Sequence, residues 1–174
     1  MGIHLTKDQP EKKKVTAKVI KAALYWYFRF DRQWICADEA TLCYGPCDMV
    51  VDTGADILEI EVKVTKNDLW GGEAKKSKHK KFYLNSEAPT KFYICVPSEL
   101  IEEAEKWVQA TNEKYGIIHF DSGHYGRGGY FARCITIKKT ARQLHKLYAN
   151  RHKKIAMRLC SIMAGIRAKE VGHE

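Results

Sequence analysis

Strict alternation runs through residues 58–64. Leu58, Ile60, Val62 and Val64 are apolar, and Glu59, Glu61 and Lys63 between them are charged. A period of two specifies a strand, because successive side chains leave on opposite faces. A helix would spread the same charges around its axis at 3.6 residues per turn. The strand must therefore lay its apolar row on a core and present two carboxylates and an ammonium in one row on the other face. A second strand is expected at 47–51, joined to the first through the turn residues Asp52, Thr53, Gly54, Ala55 and Asp56. Asp48 stands in that otherwise apolar strand, where an isolated carboxylate is costly.

The remaining pattern surrounds this hairpin with helices and further strands. Val15, Val19, Ala22/Ala23, Trp26 and Phe30 recur at helical spacing and predict a helix over 15–30 with that stripe buried. The aromatic run Tyr25, Trp26, Tyr27 and Phe28 is too wide for one buried face. Its surplus suits either a homodimer interface or packing under the last helix. A strand is expected at 34–42. A basic helix at 66–84 should follow, opened by Thr65 with Asp68 and broken at Gly71 and Gly72. Next come a strand at 91–96, a helix from Ser98 with Leu100, Ile101, Ala104, Trp107 and Val108 inward, and strands at 116–120 and 130–137 around a glycine-rich loop at 122–129. Thr140 with Gln143 should cap a final helix over 140–168 whose inner stripe includes Leu144, Tyr148, Ile155, Leu159, Ile162 and Ile166. The expected fold class is α/β in one domain over 1–174, a mixed sheet flanked by helices, with 1–14 a flexible basic tail.

Charge narrows the partners. The formal net charge is +9, and it is segregated: residues 1–21, 63–81 and 141–174 carry +4, +5 and +6, and the rest of the chain −6. Such segregation favours a polyanion. No apolar run reaches the ~18 residues of a membrane span, and no signal peptide is evident, so a cytoplasmic setting is expected. The six cysteines are Cys36, Cys43, Cys47, Cys95, Cys134 and Cys160, with no Cys-x-x-Cys pair. They read as small buried hydrophobes in a reducing compartment. A zinc site from Cys43 and Cys47 with His119 or His124 is the alternative, without a recognisable spacing.

A carboxylate from each of two neighbouring strands, with an ammonium two residues on, is what a metal-dependent phosphodiesterase requires. The acids supply hard oxygen ligands, and the cation steadies water or phosphate. Asp48 followed by Glu61, Val62 and Lys63 after a hairpin resembles the PD-(D/E)XK nuclease superfamily and its α-β-β-β-α-β core. The likeness covers about 34–118 and is nearest to small phage- and repair-associated members. It extends through Val64, Thr65, Lys66, Asn67, Asp68 and Leu69, then Lys78 to Tyr83, then Phe92 to Pro97. The proline of the signature stands one residue early, at Pro46, where it does no chemistry.

That resemblance implies a DNA endonuclease of bacterial or phage-infected cells acting in repair, recombination or junction cleavage. Asp48, Glu61 and the Val62 carbonyl would bind Mg²⁺, with Mn²⁺ substituting. Lys63 would position or help deprotonate the attacking water. Glu39 would complete the acidic set from the first strand, with Glu11 in the tail as the alternative. Lys75, Lys76, Lys78, His79, Lys80, Lys81 and Arg127 are candidates to grip DNA phosphates. His79 and Tyr83 are spaced to share a helical face towards the site. Arg151, His152, Lys153, Lys154 and Arg158 offer a second such track. A non-catalytic nucleic-acid-binding module on the same fold is the competing reading.

Overall fold

The alternating segment forms β3 (Ile57–Val62). In the computed structural model, which describes residues 14–40, 45–73, 77–82, 88–127, 130–144 and 150–170, it lies inside a six-stranded sheet ordered β1-β2-β3-β4-β5-β6. β1 (Ile35–Asp38), β2 (Met49–Asp52) and β3 make an antiparallel meander. β4 (Lys91–Pro97) runs parallel to β3, β5 (Gly116–Phe120) parallel to β4, and β6 (Ile135–Lys139) antiparallel to β5. The fold is thus mixed α/β, with helices against a central sheet. Among the described residues no helix is long and apolar enough to cross a membrane.

The β2–β3 turn is built as its residues demand. Thr53 N–H donates to the Asp56 carbonyl at 3.0 Å, and Thr53 Oγ1 accepts from Asp56 N–H at 2.8 Å. Asp52 Oδ1 accepts from Gly54 N–H, and Gly54 has φ of 84°, a conformation open to glycine at no steric cost.

α1 (Ala17–Trp26) starts at Thr16, whose hydroxyl accepts from Val19 N–H, and runs on through a π-helical turn at Tyr27–Asp31. It covers one sheet face, burying Ile20, Ala23, Leu24, Tyr27 and Phe28 against Met49, Val51, Leu58, Ile60 and Val62. The expected buried stripe is corrected here. Trp26 and Phe30 are 40% and 54% exposed. The segment is apolar nearly all round, and the fuller row of Ile20, Leu24 and Phe28 takes the sheet. Nor does the aromatic surplus lie under the last helix: Trp26 packs on Phe30 and on Tyr130, beside the 3₁₀ turn Phe131–Cys134.

Two helices share the opposite face. α3 (Ile101–Thr111) lays Ala104, Trp107 and Val108 on Phe92, Ile94, Val96 and Ile117. α5 (Asn150–Glu170) lays Ile155 and Leu159 on Ala37, Val50 and Ile57, whereas Ile166, expected on the same inner stripe, is 49% exposed. These are separate apolar clusters, and the charged row of β3 lies on the face they share.

Other expectations shift. The first strand is shorter than 34–42, and part of the loop at 122–129 forms α4 (Ser122–Gly126), with Asp121 Oδ1 accepting from His124 N–H. The strand expected at 130–137 starts only at Ile135, after the 3₁₀ turn. The basic stretch 66–84 is not one helix. Thr65 Oγ1 does accept from Asp68 N–H, but the turn it opens is π-helical (Asp68–Gly72) and gives way to the short α2 (Lys78–Lys81). Residues 140–144 are non-helical, with Leu144 N–H donating to the Thr90 carbonyl at 2.7 Å, so α5 begins later than Thr140. The tail 1–13 with Glu11, and Cys43, Lys75, Lys76, Tyr83 and Tyr148, lie outside the described residues, as do the side chains of Arg151, His152 and Lys154.

Candidate active site on strand β3

The charged row of β3 is buried. Glu59, Glu61 and Lys63 are 4%, 2% and 6% exposed, so their charges need counter-ions inside the protein. Lys63 Nζ lies 3.1 Å from Glu61 Oε2 and 3.1 Å from Glu73 Oε2. Lys78, reaching in from α2, donates to Glu59 Oε1 at 2.7 Å and to Glu61 Oε1, lies 3.4 Å from Glu73 Oε1, and sits over the Phe92 ring. Beyond it His79 joins Glu73 Oε1 through Nε2 and the Tyr115 hydroxyl through Nδ1, both at 2.9 Å. Phe82, Phe92 and Trp107 pack edgewise against its ring.

Electrostatics keep both lysines charged. Burial works against the Lys63 ammonium, but Glu73 and Glu61 outweigh it and hold its pKa above the ordinary 10.5. Lys78 is likewise raised, with burial opposed by Glu59, Glu61 and Glu73.

Asp48 stands just before β2 and belongs to a second, more open group. Its Oδ2 accepts from Val62 N–H at 2.9 Å, where a longer β2 would have offered a strand carbonyl; the next amide, Lys63 N–H, goes to the Cys95 carbonyl on β4. Its Oδ1 lies 3.5 Å from Lys21 Nζ, which also reaches Glu39 Oε1 at 3.3 Å. Burial opposes the Lys21 ammonium, yet Asp48 and Glu39 together raise its pKa. Glu39 follows β1 in a left-handed conformation (φ 47°), and its side chain is 64% exposed.

The structure therefore brings Glu61 and Lys63 into contact and couples Asp48 to Glu39 through Lys21. The two groups meet at the backbone of Val62. Asp48 pairs with Lys21 rather than with Lys63. Lys78 and His79 are turned inward, correcting their expected place on a phosphate-gripping face: Glu59, Glu61 and Glu73 on one side and the aromatic cluster on the other draw them in. Lys80, Lys81 and Arg127 do lie exposed. Sequence reasoning missed Lys21, Glu73 and Tyr115. Glu73 left one signal, an acid within a run of lysines. Of the zinc alternative, Cys43 lies outside the described residues; the Cys47 thiol donates to the Ala40 carbonyl and burial pushes its pKa up, while His119 contacts Ser98.

Among the described residues no three His, Cys, Asp or Glu side chains form a ligand cage. Mg²⁺ does not demand one, since it keeps several waters and takes one or two carboxylates. By donor chemistry Asp48, Glu61 and the Val62 carbonyl suit such an ion, all being oxygen. Both Glu61 oxygens face ammoniums, so an ion there competes with Lys63 or Lys78. Neither a family model, nor a curated protein, nor a solved structure matches the chain.

Proposed function

We propose that the protein is a metal-dependent deoxyribonuclease that hydrolyses DNA phosphodiester bonds, with Asp48, Glu61 and Lys63 at its centre. One observation carries the reading: the Asp48 carboxylate is seated on the amide of Val62, the residue between Glu61 and Lys63. An acid just before β2, an acid on β3 and an ammonium just after β3 thus flank a single backbone unit. The meander followed by a parallel strand agrees with the α-β-β-β-α-β order of the nucleases the sequence resembles.

When bound, Mg²⁺ or Mn²⁺ would polarise the phosphate and activate water. Asp48 and Glu61 would supply carboxylate oxygens to hold it, and Val62 its carbonyl. Lys63 acts by charge: a raised pKa keeps it protonated at neutral pH, so it orients water and offsets charge on the phosphoryl group rather than accepting a proton. Glu39 acts through Lys21 to position Asp48. Lys80, Lys81 and Arg127, all exposed, are the cations of the expected phosphate-gripping set that face solvent.

A digest panel of single-stranded, duplex, flapped and four-way DNA with Mn²⁺ tests this. Cleavage is expected with the ion, none with EDTA, and none from Asp48→Asn, which preserves shape and the hydrogen bond from Val62. Cleavage retained by both Asp48→Asn and Glu61→Gln would remove the enzyme reading. The ammoniums on both Glu61 oxygens favour a second reading, a nucleic-acid-binding module without catalysis. Binding without cleavage across the whole panel would select it.

A further inference from the structure

The outward stripe of α1 carries chemistry of its own. Trp26 and Phe30 meet at a tilt with a centroid distance of 4.5 Å, and Tyr130 meets Trp26 edge-on at 5.7 Å. Trp26 and Phe30 belong to α1 and its π-helical extension, whereas Tyr130 precedes the neighbouring 3₁₀ turn, so the fold assembles the cluster from distant segments. Cations are interleaved with these rings. Arg29 lies 5.8 Å from the Phe30 ring, and exposed Arg133 donates its backbone N–H to the Tyr130 carbonyl.

A groove of about 660 Å³ begins at this cluster. Lys18, Lys21, Tyr25 and Trp26 line its α1 wall, and Asp38, Glu39 and Met49 are on the other side. Lys21 is the side chain that holds Asp48. The groove thus runs from an exposed aromatic cluster to Lys21 at the candidate active site, with two ammoniums on its α1 wall and the carboxylates of Asp38 and Glu39 opposite.

We infer that Trp26, Phe30 and Tyr130 form a stacking platform for unpaired nucleobases, which leads single-stranded DNA, or the unpaired arm of a branched DNA, along the α1 groove towards Asp48. The inference rests on the nuclease reading for its direction, not for the binding itself. Every base has a π-face, so aromatic rings grip single strands without regard to sequence, while arginine and lysine follow the phosphates. Paired bases offer no free face to such rings. The charge pattern favours DNA over a second copy of this strongly basic chain as the occupant.

The test is binding in EDTA, where no cleavage occurs, using a labelled oligothymidylate of about 20 nucleotides and a duplex of equal length. The wild type should favour the single strand, and bound oligothymidylate should shield part of its tryptophan fluorescence from acrylamide. Trp26→Ala with Phe30→Ala should weaken single-strand binding by about ten-fold or more, while leaving duplex binding nearly unchanged. Trp26→Phe, which keeps a ring, should retain most of it. Equal affinity for both DNAs, unprotected tryptophan, or undiminished binding by the double variant would overturn the platform. So would a wild-type dimer, seen by sedimentation, that Trp26→Ala separates. Cleavage by the wild type under Mn²⁺ is scored separately. Its presence with a failed platform leaves the nuclease standing, and its absence with a working platform leaves the converse.

Discussion

The charged groups flanking Val62 divide into an open half and a closed half. In the open half Lys21, Glu39 and Asp48 meet at 3.3–3.5 Å, partly in solvent. In the closed half Glu59, Glu61, Lys63, Glu73, Lys78 and His79 meet inside the protein, each no more than 7% exposed. Solvent screens the first and can replace any missing member. The second has only itself, so each charge there is also a condition of folding. A candidate site split in this way can be probed by substitution on the open side with little effect on the fold, whereas on the closed side a loss of activity must be read beside a stability measurement.

Removing Lys78 should have the largest effect. Lys78→Ala leaves Glu59 and Glu61 short of a counter-ion and should cost about 3–5 kcal/mol in urea unfolding. A loss below about 1 kcal/mol would show that the closed half is wetter than its burial indicates. Alkali attacks the same half. Folded-state pKa values of Lys63 and Lys78 lie above the ordinary 10.5, so the stability they contribute is intact below that pH and declines as pH rises through the raised values. Melting temperature should therefore fall above pH 10.5 and fall less in Lys78→Met. Tyr115→Phe should come next, at about 1–2 kcal/mol, by taking the hydroxyl from His79 Nδ1 inside the aromatic cluster. Asp48→Asn should be smallest for stability, within about 1 kcal/mol. If that variant unfolded readily, the contrast between the halves would be lost.

Much of this was legible in the alternation at 58–64, because a period of two can be satisfied only by a sheet. The turn at Asp52–Asp56 was legible too, since glycine and short polar side chains leave few other options. The helices were harder. In α1 apolar residues lie nearly all round, so periodicity could not choose between the Trp26–Phe30 row and the Ile20–Leu24–Phe28 row; contact with Met49 and Ile60 chose. Lysines at 75–81 read as a phosphate-gripping face, yet two buried glutamates on β3 call for ammoniums, and the inward turn of Lys78 answers them. Had Glu59 and Glu61 been treated as a demand for counter-ions, Lys78 and Glu73 would have been sought among the helix residues that follow. Nothing in the order of residues pointed to Tyr115 or Lys21, whose contacts exist only once the chain is folded.

The charged row on β3 also leaves the α3–α5 face of the sheet with two apolar clusters rather than one. α5 is anchored through Ile155 and Leu159 on β1, β2 and the start of β3, while α3 holds β4 and β5. The two helices are thus free to detach as separate cooperative units, and α5, with the smaller footing, should surrender its amide protons to exchange first.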